Sequence, residues 1–163
     1  MHIRYVVDTN VLVHWLLKPY GLAAKLIRSL ELELFTPYKA VDELWERRTL
    51  WSKKQPRVSL NDFIGAVDYY VKILYPPYDP HAIERSRQEM AAVDQEDVDF
   101  VTVALMKDAY VWSYDEDFKK QSLVRVVTSE DLLRRSHEIL ALYVALQDEY
   151  EKYFEKKRTR AGA

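Results

Sequence analysis

The sequence predicts an α/β protein, a three-layer α/β/α sandwich around a central, mainly parallel sheet. Three observations predict it. Short apolar, β-branched runs alternate with stretches of helical periodicity, the pattern of strands joined by helical crossovers. The chain has 163 residues, enough for one domain that buries roughly 70% of its unfolded surface. Acidic residues stand directly after several of the apolar runs, where an open α/β sheet builds its sites.

Residues 3–7 are an apolar run that stops at Asp8, a buried strand. Residues 11–18 carry helical spacing, with Val11 over Trp15 and Leu12 over Leu16, and end before Pro19. A short helix covers 22–30 and a strand 32–35. Thr36 as N-cap and Pro37 at the first helical position begin a helix that runs toward Trp51. Its apolar face holds Ala40, Val41, Leu44 and Trp45. Ser59 caps a helix over 59–69, with Asp62 three residues on. Residues 71–74 form a third strand, stopped by Pro76 and Pro77. A helix covers 80–92. Residues 97–107 set Phe100, Val101, Ala104 and Leu105 on one helical face. A strand over 110–113, a turn over 115–118 and a strand over 124–127 follow. Thr128 or Ser129 caps a final helix from 130 to about residue 154. That helix carries Ile139, Leu142, Tyr143, Leu146, Tyr150 and Tyr153 as a stripe able to extend into an interface, so a homodimer is expected. The expected organisation is one domain over 1–155 and a basic, flexible tail over 156–163, without repeats.

Composition narrows the chemistry. The chain has no Cys, which excludes disulfides and zinc-thiolate sites. Its four His include no closely spaced pair, which argues against a zinc enzyme. The net charge of −2, from 26 acids and 24 bases, is not that of a protein that coats nucleic acid. It is compatible with a nuclease, whose site gathers carboxylates against basic residues elsewhere. No apolar run approaches the ~18 residues of a membrane span, and no signal peptide is seen. A soluble, cytoplasmic protein with no membrane contact is expected.

Asp8 ends the first strand, and Asp115 and Asp117 follow the strand over 110–113. Asp97 heads the stripe of Val101, Ala104 and Leu105, so it points toward the end of the sheet. Carboxylates brought together raise one another's pKa, and a hard divalent cation relieves that repulsion. Mg²⁺ or Mn²⁺ suits such ligands and activates water against a phosphodiester. Each acid also has a plain structural reading. Asp8 suits an N-cap, Asp115 and Asp117 suit Asx turns, and Asp94, Asp97 and Asp99 all suit a helix's first turn. Periodicity does not choose Glu43 over Asp42 or Glu46.

Four segments carry a resemblance. They are Val6-Val7-Asp8-Thr9-Asn10-Val11-Leu12, Val41-Asp42-Glu43-Leu44, the run from Asp97 to Leu105, and Trp112-Ser113-Tyr114-Asp115-Glu116-Asp117-Phe118. In order and spacing they resemble the acidic motifs of PIN domains, up to about residue 130. The resemblance implies a Mg²⁺- or Mn²⁺-dependent endoribonuclease like the VapC-type toxins, with an RNA substrate and an antitoxin partner. It makes Asp8, Glu43, Asp97 and Asp115 the catalytic acids, with Asp8, Asp97 and Asp115 holding one or two ions. Asp94 or Asp99 stands in for Asp97 if the helix begins elsewhere. Thr9 or Asn10, with Ser113, supports the site, Asp117 is an outer acid, and Asp99 has no clear role. Arg47, Arg48, Lys53, Lys54, Arg57, Lys119 and Lys120 are the bases available to hold RNA, with Arg47, Arg48 and Lys119 foremost. Trp45, Trp51 and Trp112 are candidates for base stacking. Two other readings remain. One is an inactive PIN-like module that binds RNA or protein. The other is a haloacid-dehalogenase-like phosphatase, which needs an Asp where Asn10 stands.

Overall fold

The fold is that of a computed structural model, which describes residues 3–29, 32–135 and 138–161. Strands β1 (Arg4–Val7), β2 (Glu33–Pro37), β3 (Lys72–Leu74), β4 (Tyr110–Trp112) and β5 (Val126–Val127) form one sheet in the order β3-β2-β1-β4-β5. Every pairing is parallel. The register sets Val6 beside Phe35 and Val111, and Val7 beside Trp112. β1 is central, so Val6 and Val7 are fully buried, as an apolar run covered on both faces requires.

The chain steps from β1 to β2 to β3 in one direction, then returns past β1 to lay down β4 and β5. Right-handed crossovers therefore put the helices of the first half on one face. These are α1 (Thr9–Leu17), α2 (Leu22–Arg28), α3 (Tyr38–Glu46), α4 (Arg48–Lys54) and α5 (Leu60–Tyr70). The return path, α6 (Pro80–Met90) and α7 (Val98–Lys107), covers the other face. α7 packs across β1, β2 and β4, with α6 against it. Its Phe100, Val101, Val103 and Ala104 are buried, and Phe100 meets Phe118 edge to face. The predicted three-layer α/β/α sandwich with a parallel sheet is the observed fold.

Several boundaries differ from expectation. Thr36 does not cap a helix. It lies inside β2, where its buried hydroxyl donates to the Val7 carbonyl at 2.8 Å. Pro37 is extended and ends the strand, so α3 begins one residue later. The expected helix to Trp51 is broken at Arg47 into α3 and α4. That break leaves Trp45 exposed, while Trp51 and Trp112 are buried. Thr128, not Ser129, caps α8 (Ser129–Arg135). Its hydroxyl accepts from the Asp131 amide, while the Asp131 carboxylate accepts from the Thr128 amide. Residues 156–161, in the expected basic tail, continue α9 (Glu138–Ala161). Its residues after Glu155 are mostly good helix formers with no Gly or Pro before the helix ends, so nothing local stops the helix. Of the expected α9 stripe, Leu146, Tyr150 and Tyr153 are exposed, and the side chains of Ile139, Leu142 and Tyr143 lie outside the described residues. Among the described residues, no helix is long and apolar enough to cross a membrane.

Candidate metal and nuclease centre

The direction in which strands are added to the sheet reverses between β1 and β4, although the strands themselves stay parallel. A crevice opens beyond their carboxyl ends, the usual place for a site in an open α/β sheet. Asp8 leaves β1 there, and Ser113 and Asp115 leave β4. The Asp8 amide donates to the Trp112 carbonyl at 3.0 Å, and the Ser113 amide to the Val127 carbonyl at 3.1 Å. Both loops are thus fixed to the sheet's last hydrogen bonds.

Asp8 is buried and serves two ends at once. Its Oδ1 accepts from the Thr9 amide at 2.7 Å, making it the N-cap of α1, and its Oδ2 accepts from the Ser113 hydroxyl at 2.6 Å. The Ser113 hydroxyl in turn accepts from the Asn10 side-chain amide at 3.2 Å and from the Asp115 amide at 2.9 Å. One donor and two acceptor positions are all used. Asn10 also accepts from the Tyr114 amide at 3.2 Å, so it staples α1 to the β4 loop. Asp115 accepts from the Asp117 amide at 2.9 Å in an Asx turn, and Asp117 pairs outward with Lys120. The capping and turn roles read from the sequence are real. They hold the acids in position.

Glu43 arrives from α3, and the Thr9 hydroxyl donates to its Oε2. Asp97 arrives from the start of α7, where a 3₁₀ turn (Gln95–Asp97) leads into the helix. Burial pushes the Asp97 carboxyl up to about 7, helped by the charges of Asp8, Asp94, Asp115 and Glu43. Burial also pushes Asp8 up to about 6. Its bonds from Ser113 and Thr9 oppose the rise, while Glu43 and Asp115 add to it. Burial raises Glu43 as well, against the Thr9 bond and the charges of Lys39 and Arg47. Four acids from four separate segments therefore share one field. Asp94 caps the 3₁₀ turn, accepting from the Glu96 amide at 2.8 Å. Asp99 lies in an adjoining cleft with Tyr78 and Lys39.

The donor set fits a hard divalent cation, since it is all carboxylate oxygen and repels itself without one. Among the described residues, no three His, Asp or Glu form a ready-made cage. The expected phosphatase acid is replaced by Asn10, whose amide is engaged in holding two loops together.

The basic candidates are dispersed. Arg47 lies close enough to act on Glu43. Arg48 holds its guanidinium 5.3 Å from the Trp45 ring centre. Lys119 is exposed and pairs with Glu116 at 2.8 Å. Lys39 was not singled out by sequence, yet it binds the Glu96 carboxylate at 2.8 Å and the Glu96 carbonyl, tying α3 to the turn that presents Asp97. Its only sequence signal was its place four residues before Glu43, on the same side of α3.

A parallel α/β sheet with carboxylates converging on its switch point defines a class of acid-centred α/β folds. The chain belongs to the PIN domain family, whose model matches residues 6–135. Divalent metal ions generally serve the nucleases of that family. No curated protein matches the chain in sequence. Two solved structures are similar to it. One is VapBC2 from Rickettsia felis bound to a DNA fragment from their promoter. It has a TM-score of 0.63 and 14% identity, covering 77% of this chain and 98% of that one. The other is PAE2754 from Pyrobaculum aerophilum. It has a TM-score of 0.55 and 22% identity, covering 86% of this chain and 90% of that one. At these identities the likeness is one of fold.

Proposed function

We propose that the chain is a Mg²⁺- or Mn²⁺-dependent endoribonuclease that hydrolyses phosphodiesters at Asp8, Glu43, Asp97 and Asp115. The observation that carries this reading is the convergence of acids from separate segments at one sheet edge, where Ser113 joins Asp8 to the Asp115 loop and Thr9 joins α1 to Glu43. A divalent ion bound there neutralises phosphate charge and acidifies water. Asp8, Asp97 and Asp115 are the residues that would hold it. Ser113 and the Thr9 amide fix the Asp8 carboxylate, so it meets the ion preorganised. Thr9 holds one oxygen of Glu43, leaving the other free to orient the attacking water or to complete the shell of a bound ion. The expected products carry a 5′-phosphate and a 3′-hydroxyl. Arg47 at the mouth, with Arg48 and Lys119 further out, steadies the RNA backbone. Asn10 and Asp117 hold the loops that present Asp8 and Asp115.

The same reading gives the chain a cytoplasmic setting, a homodimeric state and an antitoxin partner. Its likeness to VapBC2, which is bound to promoter DNA in that structure, supports the toxin–antitoxin context. The exposed Leu146, Tyr150 and Tyr153 on α9 suit the dimer contact. A monomer by light scattering across micromolar concentrations removes the dimer.

The test is cleavage of single-stranded RNA in Mg²⁺ or Mn²⁺, with EDTA and Asp8→Asn as controls. Cleavage lost in both controls is the expected result. Metal binding by calorimetry without cleavage of any RNA turns the reading toward a binding module. An absence of metal binding overturns the site.

A further inference from the structure

A cleft of about 330 Å³ opens beside the acid cluster and shares Glu43 with it. Tyr38 forms one wall and Tyr78 is buried behind it. Tyr38 begins α3 after β2, and its ring stacks on Tyr75, which follows β3. The centroids are 5.1 Å apart and the planes tilted by 30°. Both rings stand in water, Tyr38 at 37% and Tyr75 at 61% exposure. A stacked aromatic pair left open at the edge of the sheet that carries the acids is a platform for a planar group.

The polar lining says which group. Lys39 is the cation of the cleft, and it is taken up by the carboxylate and carbonyl of Glu96. Asp99 and Glu43 face the same space and, when ionised, only accept hydrogen bonds. A phosphate is repelled there. A planar ring carrying an amino group finds a stacking face and acceptors together. Adenine, cytosine and guanine have such a group. Uracil offers one ring N–H set between two carbonyls, which meet carboxylates unfavourably.

We propose that the Tyr38–Tyr75 shelf and the cleft beneath it form a nucleobase subsite, which takes an amino-bearing base of the RNA next to the scissile phosphate. This rests on the ribonuclease reading, because Glu43 joins the two sites. The subsite makes unpaired RNA the substrate, since a base in a duplex has no free face to offer.

The test uses the ¹⁵N-labelled full chain, titrated with adenosine, cytidine and uridine and followed by amide shifts. Binding and cleavage are read separately. The expected result is saturable shifts at Tyr38, Tyr75 and Asp99 with adenosine and cytidine, and at least about five-fold weaker binding of uridine. Tyr75→Ala weakens adenosine binding by about five-fold or more, the loss expected for one stacking face. Asp99→Asn, which adds a donor, narrows the gap between cytidine and uridine while the chain stays folded. Equal binding of the three nucleosides, or shifts confined to other surfaces, overturns the subsite. RNA cleavage without such shifts overturns it while leaving the nuclease reading intact. Nucleoside shifts at the shelf without cleavage of any RNA keep base binding at the cleft but remove the nuclease reading and, with it, the subsite's place beside a scissile phosphate.

Discussion

The Ser113 hydroxyl makes three hydrogen bonds at once, to Asp8, Asn10 and the Asp115 amide. Ser113→Ala removes a partner from the buried Asp8 and from the half-buried Asn10 and Asp115 amide. We expect a loss of about 1–3 kcal/mol in urea unfolding, together with weaker metal binding by calorimetry. Asp8 and Asp97 carry the pH dependence. Both sit above the carboxylate range in the fold, at about 6 and about 7, so the native state keeps protons that the unfolded chain releases. The stability they contribute is complete below about pH 4, the unfolded value, and is lost as pH rises through 6 and 7. In EDTA, the thermal midpoint should therefore fall between pH 5 and pH 8. Asp97→Asn should flatten that fall and raise stability at pH 8 by on the order of 1–3 kcal/mol, while abolishing RNA cleavage. A steeper fall in the variant than in the parent would contradict the repulsion. Asp8 and Asp115 were legible in the sequence because a strand end is a local event marked by an apolar run. Glu43 came only with the family motif, since its neighbours Asp42 and Glu46 are equally acidic. Lys39 was not legible, because its partner Glu96 is 57 residues away in the chain.

Helix boundaries show the same contrast between local and distant causes. Ser59 and Asp79 cap α5 and α6, as side chains in sequence next to a free N–H must. Thr36 looked like such a cap, but the Val7 carbonyl across the sheet claimed its hydroxyl. Trp45 fell on the apolar side of a helical wheel, but α3 ends at Glu46 and the ring is left outside under Arg48. α9 is held to α2 by charge. The buried Lys25 pairs with Asp148 and Glu151, and Arg28 reaches Glu151 at 3.8 Å. Removing both acids leaves a lysine in a dry place. Asp148→Ala with Glu151→Ala is expected to cost about 3 kcal/mol and to speed amide exchange along α9, whereas Lys25→Met costs under about 1 kcal/mol. Equal effects from the two changes would mean that α9 docks by packing alone.

Across the whole molecule, the fold class followed from the alternation of strands and helices, which is a property of the chain as a string. The strand order was not written there. Parallel pairing of β1 with both β2 and β4 depends on which crossover goes which way around the sheet. Ion binding should be the clearest global readout of the site. Millimolar Mg²⁺ or Mn²⁺ should raise the thermal midpoint at pH 8 and do little at pH 5, where Asp97 is already protonated. A rise of the same size in Asp97→Asn would place the ion elsewhere.

β1 and β4 lie more than a hundred residues apart in sequence, yet the acids meet only where these two strands touch. In a nascent chain emerging from the ribosome, Asp8 and then Glu43 precede Ser113 and Asp115. Neither has Ser113 or Asp115 beside it until β4 has been translated and paired. With the proposed ribonuclease activity, such a chain would thus stay inert until β4 has formed, beside the message and the ribosomal RNA it could otherwise damage. The switch-point topology makes late assembly of these acids part of the fold.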